Sequence, residues 1–331
     1  MLQQTRVETV VDYWKRFLQR FPDVDSLARA QVDEVLQLWS GLGYYRRARA
    51  LHSAAGQLVE EHGGRFPRSR DELLTLPGVG PYTAGAVLSI AFDLPEALVD
   101  GNVERVFARL FGLDAPADDP AFRRHCWELA RLFIADVDSP RIWNQALMEL
   151  GATVCTPRAA RCDDCPLRRS CAARASGRVE EFPRPKRRRK SLAVELEVLI
   201  IRAADRMLLQ RRPDQGRMAG LYEFPTRERP AEEKGTATGL FPGAWPTSTA
   251  SGAQLLGPTP SRSSLGVFRH AITHHRIRAE LIAGRQLPGT RLDPRFSWVP
   301  VSEIDRWALT GMARKARRHS PDPIRNLAEP K

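Results

Sequence analysis

The chain has no long hydrophobic run. None approaches the ~18 apolar residues that a membrane-spanning helix requires, so no membrane is expected as a partner. The opening segment, MLQQTRVETVVDYWKRF, lacks the apolar core of a secretory signal, and its apolar positions recur at helical intervals instead. Cysteine is scarce, five in 331 residues, and four of the five cluster, which suits a reducing compartment and a metal better than a disulfide framework. No internal repeat is evident. Acidic residues are outnumbered, 39 Asp plus Glu against 51 Lys plus Arg, for a formal charge of +12. Such an excess favours a polyanionic partner, although solubility alone could produce it.

What is present is led by those cysteines. Cys155, Cys162, Cys165 and Cys171 are spaced C-x6-C-x2-C-x5-C, and thiolates grouped so tightly can close around one metal centre. Cys126, alone in RRHCWELA, reads as a packed core thiol.

The length suits about two domains. Val7, Val10, Val11, Trp14, Phe17, Leu18 and Phe21 fall on one helical face, and Pro22 ends the segment. Further helices are expected with Asp33 capping EVLQLW, over 46 to 62, and over roughly 83 to 92, 102 to 111, 118 to 136 and 140 to 151. Residues 1–176 thus read as an all-α domain, with the cysteine loop at 155–171. The charged, proline-broken stretch 177–191 reads as a basic linker, in which KRRRK at 186 to 190 is either solvated or adds modest attraction for phosphate. Beyond it, LAVELEVLIIRAADRMLLQRRP and SLGVFRHAITHHRIRAELIAG alternate with strand period, residues 228 to 262 read as loops, and 302 to 318 read as a closing helix, so 192–331 is expected to be α+β.

In LPGVGPYTAGAV, Gly78 and Gly80 with Val79 between them permit a tight turn whose N–H groups face outward at the mouth of the next helix, a ready anion site. In VDGNVERV, Asp100 and Asn102 open a helix, where an N-cap is the ordinary reading.

Together these segments resemble the helix-hairpin-helix DNA glycosylases, and within them the adenine DNA glycosylases of the MutY type. MLQQTRVETV, GLGYYRRARAL and GATVCTP extend the resemblance over nearly the whole chain. It implies a base-excision repair enzyme that removes adenine mispaired with 8-oxoguanine or guanine by hydrolysing the N-glycosidic bond in double-stranded DNA. It also implies a multi-domain chain, the all-α glycosylase domain being followed by a Nudix-like one, and a monomer working in the bacterial cytoplasm near the nucleoid.

By the same resemblance, Asp100 stabilises the positive charge left on the sugar, Asn102 orients that carboxylate or the water, and Tyr82 lines the sugar pocket. Gln3, Gln4, Thr5, Leu42, Tyr44, Gly78, Val79 and Gly80 would meet DNA. Endonuclease III-type relatives carry a lysine where this chain has Tyr82 and Thr-His where it has Gly101-Asn102, which favours a monofunctional enzyme over a glycosylase-lyase. The cysteines resemble a [4Fe-4S] site, with structural zinc as the alternative. The C-terminal half resembles a Nudix module, but RERPAEEKG at 227 to 235 has an extra residue, an arginine at the apolar position and Pro230, so pyrophosphatase activity is not expected. Thr273 and His274 match the family's lesion-reading loop, while Ile272 replaces its usual aromatic.

One departure lies at the start. The family's general-acid glutamate falls shortly before the MLQQT segment, and neither Glu8 nor another nearby carboxylate matches it. Loss of a general acid costs roughly 10²- to 10⁴-fold in rate. The chain as written is therefore expected to be impaired, a misassigned start or a fragment being favoured over a natural truncation. The alternative is a lesion-binding relative that does not excise.

Overall fold

The computed structural model describes residues 1–3, 5–186, 191–216, 218–229, 241, 256–287 and 292–319. Packing divides the chain into two units, Ser53–Arg188 and a second made of Met1–His52 with Arg189–Lys331. Within the second unit the first helices are tied to the C-terminal half. Tyr45 Oη donates to the Leu309 carbonyl at 3.3 Å, and Arg49 donates to the Ala219 carbonyl from Nε at 3.2 Å and Nη2 at 3.0 Å.

The second unit begins with α1 (Val7–Arg20), α2 (Val24–Ala28), α3 (Val32–Trp39) and the start of α4 (Arg46–His62). Phe17 packs edge-on against Phe21 and Trp39. The α1 face is less buried than its periodicity suggests: Val10, Phe17 and Phe21 lie in the core, whereas Val7, Val11, Trp14 and Leu18 are exposed. Asp33 does not cap α3; Gln31 occupies that position, and Asp33 lies in the first turn.

The Ser53–Arg188 unit carries the rest of α4 and then α5 (Arg70–Thr75), α6 (Pro81–Ala86), α7 (Gly101–Phe111), α8 (Pro120–Ile134), α9 (Pro140–Glu149) and α10 (Ala172–Ala175). Helices α6 and α9 each run on into one π-helical turn, Val87–Ala91 and Leu150–Val154. The core gathers Leu98, Val103, Phe107, Phe122, Cys126, Ile134 and Leu147, so Cys126 is the packed thiol expected. Burial, and then the Glu104 charge, push it up to about 12. Gly85 is required where it stands, because a Cβ there would lie 2.0 Å from the Ala97 carbonyl oxygen. Residues 177–186 of the expected linker pack against the helices. Phe182 is buried in this core, Arg184 pairs with Asp114 at 2.5 Å, and Ala117 donates to the Arg184 carbonyl at 3.1 Å. Residues 187–190, most of the basic run, lie outside the described residues.

The remainder of the second unit is built on β1 (Leu192–Ala203), β2 (Arg206–Arg211), β3 (Tyr222–Glu223), β4 (Thr226–Glu228), β5 (Leu256–Pro258), β6 (Ser264–Ile272), β7 (His275–Gln286) and β8 (Phe296–Pro300), with α11 (Gly311–His319) on top. The long parallel pair β1–β7 runs from Leu192↔His275 to Ile201↔Gly284, and β6–β7 is an antiparallel hairpin. Central position explains why Leu196–Ile201 is buried without alternation. The expected closing helix over 302 to 318 is instead a short 3₁₀ turn, Ile304–Arg306, followed by α11, whose Met312, Ala313 and Ala316 join the sheet's core. Arg227 and Glu228 lie on β4 rather than on a metal-binding helix; residues 230–240 and 242–255 of the expected 228 to 262 loop, and with them residues 230–235 of the Nudix-like run, lie outside the described residues, and Leu256–Pro258 forms β5 rather than loop.

Glu223 is buried on β3 and bonded through one oxygen to Arg212 at 2.7 Å. Burial pushes its carboxyl from 4.5 to about 7, against the opposing pull of Arg212. A carboxyl that holds its proton more tightly when folded favours folding most below pH 4.5, and that contribution is lost as pH rises through about 7. Thermal unfolding followed from pH 5 to 8 should show this decline, and Glu223→Gln should flatten it; identical slopes in the two proteins would contradict the assignment.

Candidate functional site

The strongest constellation opens α7. Ala97, Leu98 and Val99 are buried and fix the approach, so the chain delivers Asp100 to the helix mouth half-buried. Its Oδ1 accepts from the backbone N–H groups of Asn102 and Val103, both at 2.9 Å, and its Oδ2 accepts from Asn102 Nδ2 at 3.0 Å. These are capping bonds, and the helix dipole favours an anion at this end. They also fix the direction of the carboxylate.

Asn102 is itself held. Its Oδ1 accepts from Arg105 Nη2 at 2.9 Å, which settles which end of the amide faces Asp100. The same guanidinium donates to the Gly151 carbonyl at 2.6 Å and, through Nε, to the Cys155 carbonyl at 2.7 Å. The π-helical turn Leu150–Val154 brings those carbonyls into reach, and turns of this kind occur often at functional sites. Gly151 permits the approach, because a Cβ there would lie 2.6 Å from Asn102 Cβ.

Tyr82, the second residue of α6, donates its hydroxyl to Met148 Sδ at 3.5 Å. Burial first, and then the Asp100 charge, push its phenol above the ordinary value. The phenol therefore stays protonated and polar at neutral pH. Gly78 takes the left-handed conformation at φ +78°, Val79 N–H closes the turn onto the Leu76 carbonyl at 3.1 Å, and Gly80 is the N-cap of α6. The α5–turn–α6 hairpin expected from the glycine spacing is present.

The four clustered cysteines line one cavity of about 30 Å³ together with Arg109, Arg161, Arg168 and Arg174. Arg109 is 2% exposed and donates to the carbonyls of Phe182, Thr156 and Pro157, with Nη1 3.4 Å from Cys155 Sγ. Burial, and then the three neighbouring thiols, push Cys162 up, so four thiolates here call for a compensating cation. Among the described residues no group of three His, Cys, Asp or Glu side chains is placed to hold a single metal ion.

The residues expected to meet DNA fall in several places. Tyr44 is 59% exposed, at φ +49°, with the Arg47 guanidinium 5.3 Å from its ring. Arg47 also donates to the carbonyls of Met1 and Gln3 and to Thr5 Oγ1, so it gathers Gln3, Thr5 and Tyr44. Gln4 lies outside the described residues. Leu42 is 6% exposed and packed in the core. Thr273 and His274 form the two-residue turn between β6 and β7, where Thr273 is exposed at φ +53° and donates to the Ile272 carbonyl at 2.7 Å. A β-branched residue seldom adopts that conformation, and such strain concentrates at functional sites. Arg47, Arg105 and Arg109 were not singled out from the sequence; the i,i+3 spacing of Asn102 and Arg105 on one helix was the available signal for one of them.

Residues 1–132 match the HhH-GPD superfamily of base excision DNA repair proteins, and residues 197–319 match the NUDIX domain. The chain is 35% identical to the adenine DNA glycosylase of Mus musculus over 97% of its own length and 70% of that protein. It is 30% identical to the adenine DNA glycosylase of Schizosaccharomyces pombe over 100% of this chain and 82% of the relative. Among solved structures, one described as a thermostable thymine-DNA glycosylase is similar at a TM-score of 0.47, with 28% identity over 53% of this chain and 80% of that one. With helix-hairpin-helix and Nudix regions in succession and a capped aspartate opening α7, this chain belongs to the adenine DNA glycosylase family of base-excision DNA N-glycosylases.

Proposed function

We propose that this glycosylase removes adenine paired with 8-oxoguanine, that it acts without a lyase step, and that Cys155, Cys162, Cys165 and Cys171 hold a [4Fe-4S] cluster. The observation that carries the reading is the Asp100 carboxylate fixed by three hydrogen bonds at the mouth of α7.

Hydrolysis breaks the bond between the adenine nitrogen and the sugar carbon; the bonding pair leaves with adenine, water supplies a hydroxyl to the carbon, and one proton, net from that water, ends on the departing base. Positive charge grows on the sugar as the bond breaks, so a pre-oriented carboxylate stabilises the transition state more than the ground state. Asn102, clamped by Arg105, keeps the carboxylate aimed and needs no reorganisation at the moment of reaction. The base must first leave the helix, at a cost of a few kcal/mol. Tyr44, exposed and held in an unusual backbone conformation, supports a role in filling the gap. A lyase needs an amine that attacks the sugar, and position 82 offers a protonated phenol instead. The exposed Thr273 hydroxyl and the His274 imidazole, on a strained turn, would read the 8-oxoguanine. A basic chain suits work on bacterial nucleoid DNA.

The chemistry of the donor set fits the cluster: four cysteines line one cavity, thiolates are the ligands that iron–sulfur clusters take, and arginines stand around them. When bound, the cluster would supply bracing for the 155–171 loop, through which Arg105 is anchored.

Single-turnover excision from an adenine:8-oxoguanine duplex, read by alkaline cleavage, should fall at least about 100-fold in Asp100→Asn with duplex affinity retained. An unaffected rate would remove Asp100 from the chemistry. Arg105→Gln should lower the rate without changing affinity, and an equal fall in both would reduce Arg105 to a folding role. Borohydride should trap no covalent protein–DNA adduct. Anaerobically prepared protein should absorb in the visible blue and contain iron, and Cys162→Ser should lose both; zinc in place of iron would overturn the cluster assignment.

A further inference from the structure

The outward face of the sheet changes character along its length. Away from the β6–β7 turn its charges are paired. Glu197, 1% exposed, accepts from Arg227, Arg229 and Arg262, and Glu280 accepts from Arg229 at 2.7 Å. Near the turn they are not. Arg276, two residues from His274, has Ala271 opposite it on β6 and Ala193 beside it on β1, all three exposed. Arg269 is exposed and stands directly across from Arg278, a like-charge pairing that disfavours the sheet. Glu195 relieves Arg278 at 2.9 Å, while Arg269 and Arg276 have no hydrogen-bond or ion-pair partner among the described residues. Three arginines against one glutamate leave this end of the face with a net charge of +2.

We infer that Arg269, Arg276 and Arg278 form a rail that grips the DNA backbone next to the Thr273–His274 turn. The inference rests on the reading of that turn as the lesion contact. Side chains two apart on one strand are spaced by roughly 7 Å, so Arg276 and Arg278 can take successive phosphates, with Arg269 widening the contact. The flanking alanines leave the Arg276 guanidinium uncovered and allow a sugar-phosphate chain to approach the sheet closely. Keeping Arg269 opposite Arg278 costs the fold some stability, which a polyanion laid across both would offset. Duplex DNA is the occupant that charge complementarity favours, because it is the polyanion on which this enzyme acts. Contacts of this type position the protein without reading sequence.

The test is fluorescence anisotropy with the full chain on two duplexes, one with adenine opposite 8-oxoguanine and one undamaged, between about 50 and 200 mM salt, a range over which phosphate contacts are strongly weakened. Arg269→Gln/Arg276→Gln should weaken both duplexes by the same factor and reduce the slope of log affinity against log salt by about 1.8, at about 0.9 per phosphate contact. An unchanged slope would overturn the rail and leave the face to solvent or to an acidic protein. A drop about half as large in Arg306→Gln, which removes one charge instead of two, would also overturn it, by showing net charge alone at work. Thr273→Ala separates the two readings. It should lower the preference for the lesion duplex without altering the slope, and an unchanged preference beside a reduced slope in the arginine variant would remove the lesion reading while the rail stands.

Discussion

Everything proposed for the chemistry depends on the bonds that hold Asp100 at the start of α7. A free carboxylate on a flexible loop would be solvated and would have to turn toward a developing cation, losing much of the advantage of a fixed charge. Here two backbone N–H groups and one side-chain amide hold its two oxygens. The arrangement is an N-cap by geometry and a candidate catalytic group by consequence. One set of bonds serves folding and chemistry together.

The hold on Asp100 continues outward. Arg105 fixes the Asn102 amide, and its remaining donors reach the carbonyls of Gly151 and Cys155. Arg109, one turn further along α7, ties the same cysteine loop through Thr156 and Pro157. The loop is thus fastened to the helix that presents the aspartate. Moving Cys155 would move the carbonyl that positions Arg105, and a path of short, charge-assisted bonds leads from there to Asp100.

The legible parts of this design were those written as spacing. The cysteine cluster, the Gly78–Gly80 turn and the Asp100–Asn102 start of α7 each place particular residue types at short fixed intervals, and the structure puts them in one unit. The strand character of β1, β2, β6 and β7 was equally plain, although the central β1 and β2 bury continuous runs and the alternation itself holds mainly on β6 and β7. Features that depend on which neighbour arrives from elsewhere were not legible. Leu42 looked available beside Tyr44, yet it is buried while Tyr44 is exposed, a choice made by packing around Trp39 and Tyr45. Residues 177–186 have the composition of a linker, but Phe182 and Arg184 pin them to the helical unit. Arg105 could not be picked out, because nothing local reveals that the π-helical turn after α9 would offer it the Gly151 carbonyl.

The central claim is that Asp100 stabilises positive charge on the sugar. Its most direct measurement compares binding of two duplexes, one carrying a cationic nitrogen-containing ring in place of the sugar and the other an uncharged ring of the same shape. The account predicts that the protein prefers the cationic ring and that Asp100→Asn removes the preference while leaving affinity for the uncharged ring intact. Equal binding of both rings by the unaltered protein would contradict it.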